Sequence, residues 1–172
     1  RPADAIYHFL LPDPGMCDYQ GDKVVKELAS DHLVKIASWK KAFVSAKWDD
    51  LDLSKLRELS GLVDELWKQV IKEWKEAARI CRQPLDVWGM EKEEGGIRQP
   101  EAQEKIAADL AEPYKATSRL KLIMDYWCSL WFWPIEKADK LPSRDVWMMD
   151  IETIIKGTTR GISQKQEAMQ FE

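Results

Sequence analysis

Two histidines, three cysteines and a scattered set of carboxylates are the side chains from which catalysis or metal binding would have to be built in this chain. A metal site or a histidine general base needs the ring held near carboxylates, thiolates or a second ring. His8 lies instead in the apolar, aromatic run 5–11, and His32 in the first turn of an expected helix. Both read as packing or capping residues. Cys17, Cys81 and Cys128 are odd in number and far apart, without a C-x-x-C pair. They read as free thiols of a reducing compartment, which points to the cytoplasm, and no metal is expected.

Acid pairs for hydrolysis must face each other across a cleft, and no spacing here imposes that. Asp49, Asp50 and Asp52 could gather a cation, but a cluster at a helix start, favoured by the positive end of the helix dipole, is the simpler reading. The nucleophile elbow G-x-S-x-G, the zinc motif H-E-x-x-H and the phosphate-binding P-loop are all missing, as is a glycine-rich dinucleotide turn. Pro12-Asp-Pro-Gly15 is a turn only. No catalytic residue is therefore expected in this chain.

Two stretches could bind without reacting. Lys35, Lys40, Lys41 and Lys47 alternate with Trp39 and Trp48, so phosphate contact with base stacking is conceivable through Lys35, Trp39, Lys40, Lys41 and Lys47. A solvated helix face is the competing account, because the chain as a whole carries a net charge of −4. The run 126–133 brings together Trp127, Trp131 and Trp133. Such a stripe is core in most folds, and an interface with a larger protein if it is exposed.

The elements that would position these residues are mostly helices. The 172 residues suit one domain, taken as 1–160 with a frayed tail at 161–172. Residues 5–11 suit a short strand or extended arm, stopped by the Pro/Gly turn. From Asp22 the pattern is helical, with Val24, Val25 and Leu28 forming an apolar turn and Ser30-Asp31 capping a helix toward Ala46. A long helix is expected from about Leu53 to Arg82, with Leu56, Leu59, Val63, Leu66 and Val70 as a heptad seam continued through Trp74, Ala77 and Cys81. Residues 85–100 suit a loop.

A second long helical region runs from about Pro100 to Trp133, with Ile106, Leu110, Thr117, Leu120, Met124, Trp127 and Trp131 in four-three spacing and a kink or restart at Pro113. Ser143 should cap a last helix that closes at Gly157. The expected fold class is mainly all-α: an antiparallel long-helix hairpin with shorter covering helices, bundle-like, and one short N-terminal extended arm.

Composition agrees with a packed domain. The apolar fraction is 45% and the charged fraction 33%, and nine tryptophans imply aromatic core anchors or a docking surface. No apolar run reaches the ~20 residues that span a bilayer, and no signal peptide is visible, so no membrane is expected. The start at Arg1 instead of Met suggests a piece of a longer protein.

Three blocks carry a resemblance: Tyr7-His-Phe-Leu-Leu-Pro-Asp-Pro-Gly-Met16, Trp39-Lys-Lys-Ala-Phe43, and Trp127-Cys-Ser-Leu-Trp-Phe-Trp-Pro-Ile135 with Leu141-Pro-Ser-Arg144. Together they resemble a segment of very large bacterial DNA methyltransferases of restriction–modification and related phage-defence systems. Such proteins methylate adenine N6 with S-adenosylmethionine, sometimes fused to nuclease or target-recognition regions. The resemblance spans nearly the whole chain but rests on aromatic wording, not on a catalytic motif. The family's Asn-Pro-Pro-aromatic motif and its glycine-containing donor loop are absent here, so no catalytic or cofactor residue carries over.

What the resemblance implies is a helical accessory or spacer segment. Its partner would be the remainder of a parent methyltransferase, which would hold the S-adenosylmethionine, and DNA would be met through the parent. Two other readings stand beside it: a free-standing protein-interaction module, and a DNA-contacting helical module acting through Lys35 to Trp48.

Overall fold

A side-chain cap starts the longest helix. The Asp49 carboxylate accepts the Asp52 amide at 2.7 Å, and the chain then stays helical from Asp50 to Cys81 (α3). The aspartate cluster is thus a helix start. The computed structural model describes residues 2, 5–81 and 100–157. Within them the fold is all-α, with α1 at Lys23–Leu28, α2 at Ser30–Lys40, α4 at Pro100–Ala111, α5 at Ala116–Ser129 and α6 at Arg144–Lys156. Short 3-10 turns occupy His8–Leu10 and Ile135–Lys140, and a π-helical turn, Lys41–Ser45, follows α2.

Paired contacts give the helix directions. Glu73 reaches the start of α5, accepting the Ala116 and Thr117 amides at 3.0 and 3.2 Å, while Gln69 accepts from Arg119 further along. As the α5 number rises the α3 number falls, so the two are antiparallel, as the matched seams predict. On α6, Asp150 accepts from Tyr126 at 2.9 Å and the Ile155 carbonyl from Arg119 at 2.7 Å, so α5 and α6 are antiparallel as well. Lys55 pairs with Glu152 at 2.7 Å and ties α6 to α3. The result is a three-helix core of α3, α5 and α6.

The heptad seam Leu56, Leu59, Val63, Leu66 and Val70 is buried throughout. It meets Leu120, Ile123, Tyr126 and Leu130 of α5 and its following turn, and Trp147, Ile151 and Ile154 of α6. Ser143 caps α6 by accepting the Val146 amide, and Gly157 ends it with φ +69°. That left-handed conformation suits glycine, which has no Cβ to clash.

Several expectations shift. Residues 5–11 form no strand. They make an arm with one 3-10 turn, because the amide of Tyr7 finds Ser60 Oγ at 3.2 Å on a helix and needs no sheet edge. The second long helical region restarts around Pro113 as expected, with α4 stopping at Ala111 and α5 starting at Ala116, but α5 ends at Ser129, short of Trp133. The cap position of α2 is Ala29 and makes no side-chain cap bond. Val24 and Leu28 of α1 are exposed at 61% and 83%, so the predicted apolar turn faces outward. Trp74 does not extend the buried seam, because α5 begins opposite Glu73 and α3 runs on past it. Pro100, expected as the end of a loop, starts α4, and the rest of that loop (85–99) and the tail at 161–172 lie outside the described residues.

Candidate functional site

Many polar side chains of the bundle are engaged in holding it together, although His32 Nδ1 and Arg119 Nε are buried without a hydrogen-bond partner among the described residues. Glu73, the most suggestive carboxylate in a cleft between α3 and α4, binds two backbone amides and the Thr117 hydroxyl. Lys115 beside it pairs with Asp109 at 2.8 Å, and Glu76 pairs with Arg79. Arg119 ends α6 by donating to the Ile155 carbonyl. Burial pushes the Tyr126 hydroxyl, bonded to Asp150, well above the ordinary phenol range. Among the described residues, no three His, Cys, Asp or Glu side chains gather as a metal site would require.

Three tryptophans follow the same rule, whereas the buried indole nitrogens of Trp131 and Trp147 have no hydrogen-bond partner among the described residues. Trp127 Nε1 donates to the Leu11 carbonyl at 2.8 Å, Trp39 Nε1 to Pro142 at 2.7 Å and Trp133 Nε1 to Lys137 at 2.9 Å. Each of these three indoles pins a carbonyl outside the α-helices while its ring packs on the core. Trp131 packs against Gly15, where an added Cβ would fall 2.4 Å from its ring. His8 stands edge-on to Phe9 and Trp127. Of the interface candidates, Trp127 and Trp131 are therefore half-buried under the N-terminal arm and its turn, Trp133 is half-buried beside the Ile135–Lys140 turn, and the large exposed apolar residue of that run is Phe132.

The basic stretch is divided in the same way. Trp39 stacks on Phe43 at 4.6 Å, and the Arg144 guanidinium covers Trp48 at 3.8 Å, so neither ring is open for a base to stack on. Lys40 lies 3.8 Å from Asp18. Lys35, Lys41 and Lys47 remain exposed.

What remains unfilled is a groove of about 610 Å³ between α3 and α5. Trp67, Ile71, Trp74 and Ala78 form one wall, and Thr117, Leu120 and Met124 the other. Ile71 is 50% exposed and Trp74 58%, large apolar side chains left open beside the core. Lys75 and Lys121 are the charged side chains that line it. The surface is apolar apart from those two lysines and Thr117, whose hydroxyl donates to Glu73. No catalytic or binding motif of the sequence points to this groove. The signal was available in the 67, 71, 74, 78 spacing on α3, a second apolar stripe beside the heptad seam and wider than a two-helix hairpin needs.

Comparison of the chain with protein families, with curated proteins and with solved structures found no match. No described helix is long and apolar enough to cross a membrane.

Proposed function

We propose that this chain is a non-catalytic helical accessory domain that packs against a larger protein through the α3–α5 groove. The observation that carries the reading is the contrast between polar groups engaged in the chain's own architecture and a wide apolar groove left open. An exposed apolar surface of this kind marks an interaction site more often than a reaction centre. The larger protein is the remainder of a DNA adenine methyltransferase of the restriction–modification or phage-defence kind, whose aromatic blocks the sequence resembles. The arm, the π-helical turn and the Trp127 to Arg144 region hold those same blocks, and their indoles and Arg144 fasten irregular segments to the bundle.

S-adenosylmethionine is then bound by the parent and not by this domain, and DNA is reached through the parent. A DNA-contacting role for Lys35, Lys41 and Lys47 draws less support, since Trp39 and Trp48 are covered. Calorimetric titration of S-adenosylmethionine into the chain tests the reading. No saturable heat is expected, and a saturable isotherm would overturn it.

A further inference from the structure

The open groove is the continuation of a seat that is already occupied. Under the N-terminal arm, α3 offers Ser60 and Asp64, which accept the amide and the hydroxyl of Tyr7 at 3.2 and 2.8 Å. Alternating steps of four and three from Ser60 pass through Asp64 and lead to Trp67, Ile71, Trp74 and Ala78, one wall of the groove. The opposite side behaves alike. The arm and its turn are held at Trp131, against Gly15, and at Trp127, which donates to Leu11. The same face of α5 then continues through Met124 and Leu120 to Thr117, the other wall. One stripe thus crosses the helix pair, half covered by residues 5–15 and half left bare by the described residues.

The two halves differ in chemistry, and that difference identifies the occupant. An extended chain needs partners for its backbone, and the covered half supplies them through Ser60 and Trp127. The bare half is lined by carbon apart from two lysines and Thr117, whose hydroxyl already donates to Glu73. Whatever seats there must satisfy its own backbone, as a helix does. From Trp67 to Ala78 the wall is about 17 Å long at ~1.5 Å per residue, room for about three helical turns. Among the described residues, Lys75 makes no ion pair, Lys121 pairs only with its helix neighbour Asp125, and no carboxylate lines the groove.

We infer that the bare half of the stripe receives an amphipathic helix of a partner polypeptide, apolar on its inserted face and acidic on its flanks. The inference rests on the docking reading above. It completes a fourth helix against α3 and α5 and buries Trp74 and Ile71.

The test uses two synthetic helical peptides of about four turns. Both carry leucine at i, i+3, i+4, i+7 and i+11, one with glutamate and the other with lysine on the flanks. Each is dye-labelled and titrated with the 172-residue chain by fluorescence anisotropy. The glutamate peptide should bind saturably and the lysine peptide about tenfold more weakly or worse. Trp74→Ala should weaken the glutamate peptide about tenfold, and Lys75→Glu with Lys121→Glu should reverse the order of the two peptides. Thermal unfolding of each variant checks that it folds.

Equal binding of both peptides, binding indifferent to Trp74→Ala, or no binding by either would overturn the inference. Concentration-dependent self-association abolished by Trp74→Ala would also overturn it, by making a second copy the occupant. Any of these leaves the non-catalytic reading standing, whereas binding of S-adenosylmethionine would remove that reading and leave the groove's occupant untouched.

Discussion

The guanidinium of Arg144 lies 3.8 Å over the ring of Trp48 and, from that position, donates to the carbonyls of Phe43, Ala46 and Lys47. Phe43 belongs to the π-helical turn Lys41–Ser45 and Ala46 and Lys47 to the segment that leaves it, and one planar, multi-donor group collects their carbonyls. A lysine ammonium on a flexible stem cannot match that fork. Arg144→Ala should cost about 2–4 kcal/mol in urea unfolding, and Arg144→Lys should recover less than about half of it. Full recovery by lysine would mean that charge alone is what matters there.

Gly15→Ala should destabilise by about 1–3 kcal/mol, because the new methyl would enter the Trp131 ring that packs against the turn. Gly21→Ala meets nothing within 4 Å and serves as the control, expected within about 0.5 kcal/mol of the parent. Denaturant midpoints of the two variants, measured side by side, separate close packing from a general effect of removing glycine.

Cys17 and Cys128 should differ sharply toward iodoacetamide. Burial pushes the Cys17 thiol up to about 11, against a smaller opposing effect of Lys40, and its Sγ donates to the Leu130 carbonyl at 3.1 Å. Cys128 is exposed. Peptide mapping after alkylation of the native chain at pH 8 should find Cys128 modified and Cys17 spared, with both modified in guanidinium. The raised value also favours the native state below the thiol's ordinary pKa of 9.0, and that contribution fades as the pH climbs toward 11.

Glu152 should make the bundle acid-sensitive. Hydrogen bonds from Lys156 and then Lys55 hold its carboxyl below the usual 4.5. A lowered native value means that the contribution is complete above pH 4.5 and is lost as the pH falls through the native value. Glu152→Gln should therefore cost about 0.5–1 kcal/mol at neutral pH, with the gap to the parent closing on acidification below that range. Thermal melts of both proteins from pH 7 to pH 3 read it directly, and a gap that widens on acidification would contradict the assignment.

Periodicity was informative where one helix face meets one neighbour. The five-residue α3 seam, the Asp49 to Asp52 helix start, the Ser143 cap and the Gly157 stop are all legible, because each follows from local spacing or from a backbone demand. The predicted seam of α5 is offset from the buried one. Thr117, Met124, Trp127 and Trp131 keep the spacing but turn toward the arm and the groove, while Ile123, Tyr126 and Leu130 fill the core. A helix packed on two sides carries more than one apolar stripe, and spacing alone does not rank them. Nor could it place the Trp39, Trp127 and Trp133 N–H groups, whose acceptors lie outside the α-helices, two of them more than 100 positions away.

The most direct test of the central claim, that this bundle is complete without its groove and keeps the groove for a partner, is the stability of groove variants against core variants. Urea unfolding of Ile71→Ser combined with Trp74→Ser should show a loss below about 1 kcal/mol with the transition still cooperative, since both side chains are at least half exposed. Trp147→Ala, buried between Phe43 and Tyr126, should cost about 3–5 kcal/mol in the same experiment. A groove variant as unstable as the core variant, or one that unfolds without a cooperative transition, would make the groove part of the chain's own core and contradict the account.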